Sequence, residues 1–84
     1  MGFEYVEEEL SLKYKGNEYK FRQPSAFEQK DIGRKFKEAT EDTDAVDIYV
    51  QFFVGLGLPE DVVNKLSMKG LLDLFGYAVG AKKN

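Results

Sequence analysis

The sequence predicts an α+β fold: an N-terminal β-hairpin over about residues 8–23, followed by a small bundle of three to four helices. Three observations lead there. Apolar and polar residues alternate on both sides of Gly16-Asn17, a turn signal. Capping residues stand ahead of three later segments, at Ser25, at Thr43 or Asp44, and at Ser67. Within those segments apolar residues recur three and four apart rather than alternately. The 84 residues, 43% of them hydrophobic, suit one small domain spanning 1–84. A chain of this size buries only ~60–65% of its unfolded surface.

In the hairpin, Leu10, Leu12 and Tyr14 alternate with Ser11, Lys13 and Lys15, while Tyr19 and Phe21 alternate with Lys20 and Arg22. A two-residue Gly16-Asn17 loop pairs Lys15 with Glu18, Tyr14 with Tyr19 and Leu12 with Phe21, and gathers the apolar partners on one face. The other face then sets Lys13 opposite Lys20, an unfavourable pair unless solvent or an acidic partner relieves it. Phe3-Glu4-Tyr5-Val6 also alternates, and either prolongs the first strand or adds a third.

Pro24 closes the hairpin, and Ser25-Ala26-Phe27-Glu28 reads as a capping box opening a helix over about 25–39. Its inner stripe is Ile32, Phe36 and Ala39, with Lys30, Arg34, Lys35 and Lys37 opposite. Gly33 in its middle is either a close-packing point or a weak spot worth ~1 kcal/mol. Thr40 to Asp44 form an acidic connector to a helix over about 44–57, apolar on nearly every side, where Asp47 and Gln51 make the narrow polar stripe. A buried strand over 48–54 competes, since β-branched and aromatic residues abound there, but length and the acidic cap favour helix. Gly55-Leu56-Gly57-Leu58 breaks the pattern. Pro59 is placed at the first position of a short helix over 59–66, whose Val62, Val63 and Leu66 face the core. Ser67 caps a last helix over 67–80, with Met68, Leu71, Leu72, Phe75, Ala78 and Val79 as its stripe and Leu74 and Tyr77 outside it.

Composition excludes much chemistry. With no His and no Cys, imidazole bases, thiol nucleophiles and His/Cys zinc sites are impossible. Glu41, Asp42, Asp44 and Asp47 lack the glycine and the closing glutamate of a calcium loop, and read as acids favoured by a helix N-terminus. Gly55-Leu56-Gly57 lacks the rest of any phosphate motif. The reading is therefore no enzyme, no cofactor and no metal. No apolar run spans a bilayer, the acidic opening Met1-Gly2-Phe3-Glu4 is unlike a secretory signal, and the absence of cysteine suits a reducing cytoplasm.

Net charge is −3, arranged as alternating blocks: −4 over 1–10, +5 over 11–37, −7 over 38–64 and +3 over 65–84. Such blocks serve either as solvated faces or as docking surfaces for a neighbour of opposite sign. Residues 59–80 have a helix–turn–helix look, but the last helix offers Leu71, Leu72, Leu74 and Phe75 where base-reading side chains belong. No nucleic-acid partner is expected, and no membrane.

The central and last helices carry more apolar residues than one face of each can bury. Gly76-Tyr77-Ala78-Val79-Gly80 places small residues four apart, which lets another helix approach closely. These features predict either an aromatic-rich core with scattered exposed apolar residues, or a surface for self-association or for an apolar helical client.

The run Tyr14-Lys15-Gly16-Asn17-Glu18-Tyr19-Lys20-Phe21-Arg22-Gln23-Pro24-Ser25-Ala26-Phe27-Glu28 resembles the opening of tail assembly chaperones from long-tailed bacteriophages. In that family a short hairpin turning on Gly leads through an Arg-x-Pro-Ser/Thr-Ala step into a mainly helical body. The resemblance covers about residues 10–40. It implies a non-catalytic chaperone, acting in the host cytoplasm, that keeps the tape-measure protein soluble while tail-tube subunits polymerise around it. Members are frequently made in two lengths by a single-base backward ribosomal frameshift. Ala81-Lys82-Lys83 permits a slippery codon run at such a point, and equally complements the dipole of the last helix. Against such a client, Tyr49, Phe52, Phe53, Leu74 and Tyr77 are expected to make apolar contact, with Lys13, Lys20, Lys35 and Lys37 steering by charge. The competing expectation is a small homo-oligomeric structural or adaptor protein of phage or bacterial origin that uses the same surfaces on itself.

Overall fold

A two-stranded antiparallel hairpin leads into four helices in the computed structural model, which describes residues 2–81. The strands are β1 (Glu9–Tyr14) and β2 (Asn17–Arg22); the helices are α1 (Ala26–Lys37), α2 (Ala45–Gly55), α3 (Glu60–Asn64) and α4 (Met68–Gly76). A wider π-type turn, Tyr77–Ala81, follows α4. The expected α+β architecture is the one observed. Lys82 and Lys83, invoked above for the helix dipole, lie outside the described residues.

The hairpin register differs from the expected one. Leu10 pairs with Phe21, Leu12 with Tyr19, Lys13 with Glu18 and Tyr14 with Asn17, so the turn is Lys15-Gly16 and not Gly16-Asn17. Both turn residues have positive φ, 50° at Lys15 and 82° at Gly16, the requirement of a type I′ turn, in which glycine fits the second central position well. The observed pairing also sets Lys13 opposite Glu18 and Lys20 opposite Ser11, which removes the clash of two lysines that the other register imposed. The slip is by two residues, so every side chain keeps its face. Leu10 and Phe21 are accordingly in the core.

Residues 3–6 neither prolong β1 nor add a strand: Phe3, Tyr5 and Val6 are 90%, 70% and 74% exposed. No third strand exists among the described residues to cover them.

The capping box forms as expected. Glu28 N–H donates to Ser25 Oγ at 3.1 Å, and Ser25 N–H donates to Glu28 Oε1 at 2.9 Å. Ile32 is the one fully buried residue of α1; Phe36 is half-buried, and Ala39 lies exposed beyond the helix end. A Cβ on Gly33 would meet nothing within 4 Å, so that glycine is a weak spot and not a packing point. Asp44, rather than Thr43, caps α2 by accepting from Val46 N–H at 3.0 Å.

α2 is the helix the capping argument favours, with Val50 and Phe53 buried and Asp47 and Gln51 exposed. Its end is a Schellman motif: Leu58 N–H donates to Phe53 O at 3.2 Å and Gly57 N–H to Val54 O at 3.0 Å. Gly57 takes φ 115° there, and Leu58 follows it into the core beside Phe53. Pro59 is the residue before α3 rather than its first turn. Val62 and Val63 are buried and Leu66 is half-buried, as expected.

Two expectations for α4 fail. Leu74 is buried with Leu71 and Ala78, while Met68 and Leu72 are 41% and 49% exposed. Both stripes satisfy three-and-four spacing, and docking of Tyr77 beside the hairpin selects the one through Leu74. Gly80 takes φ 100° and so turns the chain off the helix, so Gly76 and Gly80 do not share a helical face for close approach. The core joins the hairpin's apolar face to α2, α4 and the 56–63 segment.

Candidate partner-binding surface

Four aromatic side chains from three helices form a half-buried strip. Phe36 on the last turn of α1 meets Tyr49 of α2 with ring centroids 5.0 Å apart. Tyr49 meets Phe75 of α4 at 5.6 Å, and Phe75 meets Phe52 of α2 at 5.5 Å. The rings are tilted or edge-on, the arrangement their quadrupoles favour. Phe52 continues inward to Phe53 at 5.3 Å, and Phe53 is wholly buried. Tyr49, Phe52 and Phe53 share one side of α2 through spacings of three and four residues.

Beside the strip, a groove of about 120 Å³ between α1 and α2 is lined by apolar Ile32, Ile48 and Phe52 and by charged Glu28, Asp31 and Lys35. Lys35 lies 3.3 Å from Asp31, and Arg34 pairs with the same carboxylate. These cations, Lys35 foremost, hold the Asp31 carboxyl below its usual range. On another side of α1, Lys30, Gly33, Arg34 and Lys37 line an open hollow of about 470 Å³.

Arg22 fixes α1 to the rest of the fold. Its guanidinium makes two bonds to the Glu28 carboxylate, at 2.7 and 2.5 Å, and a third to Gly55 O at 3.1 Å. The Glu28 carboxyl is lowered to about 2, first by the bond from Arg22, against the opposing effect of burial.

The residues expected to meet a partner fall into two groups. Tyr49 and Phe52 are half-buried on the strip, and Tyr77 is 37% exposed beside the hairpin. Phe53 and Leu74, by contrast, are core residues that offer no surface to a partner, because the inner faces of α2 and α4 run through them. Of the lysines, Lys20 lies 3.8 Å from Glu18 and 3.9 Å from Glu9, and Lys35 is paired with Asp31. Lys13 and Lys37 are exposed and make no ion pair among the described residues. Lys13 and Lys20 belong to the hairpin and Lys35 and Lys37 to α1, so the four do not make one patch on one element.

Sequence reasoning placed Phe36 and Phe75 in the core and missed their half-exposure. It also missed the outward set of Met68 and Leu72 on α4 and of Phe27, 72% exposed, on α1. A helix wheel drawn with Leu74 inward would have turned Met68 and Leu72 out.

Among the described residues, no group of three or more His, Cys, Asp or Glu is placed to hold a metal ion. No helix among them is long and apolar enough to cross a membrane. No family model, curated protein or solved structure matches the chain.

Proposed function

We propose that the chain is a phage tail assembly chaperone, non-catalytic and cytoplasmic, that holds an apolar helical segment of the tape-measure protein against the aromatic strip. The observation that carries this reading is the strip itself. Phe36, Tyr49, Phe52 and Phe75 are half-buried and mutually stacked, so they present apolar area without needing to reorder on binding. Met68 and Leu72 extend the apolar surface along α4. Lys35 lines the groove that Phe52 shares and favours a client with an acidic residue beside its apolar face. The resemblance rests on the hairpin-to-helix step, where Arg22 pairs with Glu28 and Ser25 with Glu28 makes the capping box of α1.

The test is co-expression with the tape-measure protein encoded nearest this gene. The expected result is a soluble client that co-purifies with the wild-type chain and is lost with the Tyr49→Asp/Phe52→Asp variant. A client equally soluble with either chain, or a gene with no tail genes beside it, overturns the reading. Tail-tube subunits are tested in the same way. The second reading, a homo-oligomeric structural or adaptor protein, draws on the exposed Met68, Leu72 and Tyr77; it predicts self-complexes and no recovered client.

A further inference from the structure

The two edges of the hairpin are treated differently. At β2, Arg22 N–H donates to Leu56 O at 3.1 Å, and Gly57 runs close against Phe21 and Lys20, so a loop covers that edge. At β1 the ladder alternation points the main-chain groups of Glu9, Ser11 and Lys13 outward. Among the described residues, the one hydrogen bond on that edge runs from Ser11 N–H to Tyr77 Oη, at 3.5 Å, the limit of such a contact. An open edge of this kind is a template for another strand.

Directly before β1 stand Phe3, Tyr5 and Val6, three of the four large apolar residues of the described chain that are 70% exposed or more. They alternate as a strand does, yet pair with no strand among the described residues. Residues 1–10 carry four acids and no base, whereas β1 and its turn carry Lys13 and Lys15. The segment and the edge are thus complementary in charge and in need, but they are joined end to end. With no turn between them, the segment cannot fold back on the strand it continues.

We propose that β1 pairs antiparallel with β1 of a second copy of this chain, so that residues 6–8 of each protomer lie along the other's β1 and residues 3–5 reach its turn. Outward-pointing residues must oppose one another, which leaves registers that differ by steps of two. With Leu10 opposite Leu10 on the twofold axis, Glu7 faces Lys13, Tyr5 faces Lys15 and Val6 faces Tyr14. One step in one direction sets Glu9 against Glu9, a repulsive pair. One step in the other leaves Val6 beyond the partner's β1, opposite Gly16 of its turn. The Leu10-centred register opposes Glu7 to Lys13, keeps the two Glu9 side chains apart and holds Val6 against the partner's strand. Two hairpins then form one four-stranded sheet, and Tyr77 swings off the edge it occupies in the single chain. The pairing does not rest on the client-binding reading, since it uses neither the strip nor α1.

Light scattering after size exclusion tests it on the full chain. The wild type is expected at twice its 9.6 kDa mass. Phe3→Ser/Tyr5→Ser/Val6→Ser is expected at the single mass with unchanged circular dichroism, since all three side chains are exposed. Because the chain has no cysteine, Glu7→Cys/Lys13→Cys reports the register. Glu9 to Lys13 alone spans ~13 Å of strand, too far for a disulfide within one chain, so the expected product is a linked dimer. A wild type of single mass, a triple variant that stays dimeric, or a cysteine variant that oxidises to no dimer each overturns the proposal.

Discussion

α1 and α2 are nearly equal in length, twelve residues against eleven, and are held in place by opposite means. α2 hides apolar side chains on all sides but the stripe of Asp47, Gln51 and Gly55. α1 buries Ile32 alone and otherwise depends on its capping box, the Arg22–Glu28 pair and one ring contact from Phe36 to Tyr49. Burial is insensitive to pH and salt, while caps and ion pairs are not. The central helix is therefore the fixed frame of the domain. The first helix can present Lys30, Arg34 and Lys37 to a partner without drawing on the core.

The sharpest way to break this contrast is to open the frame. Phe53→Ala is expected to cost about 3–5 kcal/mol, a large part of the ~5–15 kcal/mol that holds a small domain, and urea melts will show the whole chain unfolding together. Ile32→Ala is expected to cost about 2–4 kcal/mol, with the loss concentrated in α1. Hydrogen exchange checks this: α1 amides lose more protection than α2 amides.

The third test uses pH. Because the Glu28 carboxyl is lowered to about 2 in the folded chain, the stability its ionised form contributes is complete above the ordinary carboxylate range. That stability is lost as pH falls from there through about 2. Arg22 is 41% exposed on its side chain, so solvent screening limits the contribution to about 1–2 kcal/mol. Glu28→Gln is expected to lower stability at neutral pH by that amount and to flatten the acid limb of the melting profile. Smallest of all, Gly33→Ala is expected to stabilise α1 by about 0.5–1 kcal/mol, since its Cβ enters open space. A destabilised Gly33→Ala protein would mean that α1 is packed more closely than α2's contrast with it allows.

Element types were legible because each carried two agreeing signals. Ser25 with Glu28 announces α1, Thr43 or Asp44 with a long apolar run announces α2, and Ser67 with apolar residues three and four apart announces α4. The hairpin register was not, because Gly16 fits either central position of a two-residue turn. The evidence that chooses between them, Lys13 facing Lys20 in one register and Glu18 in the other, was present in the sequence as a charge conflict. The site was harder to read. Spacing allows more than one inward stripe on the helices that carry Phe53 and Leu74, and only the docking of α2, α4 and the hairpin on one another turns these two in. The Arg22–Glu28–Gly55 joint leaves no local pattern at all, since it links residues 33 apart.

That joint has a consequence for how the domain holds together. The Arg22 main chain bonds Leu56 while its side chain bonds Glu28 and Gly55, so a single arginine closes two loops of the chain at once, a short one to α1 and a long one to the end of α2. Each partner is worth little until the other two have arrived, because the entropy of fixing so long a side chain is lost only once. Arg22 therefore acts as a coincidence lock. Loosening α1 or loosening the end of α2 is then felt at the same side chain.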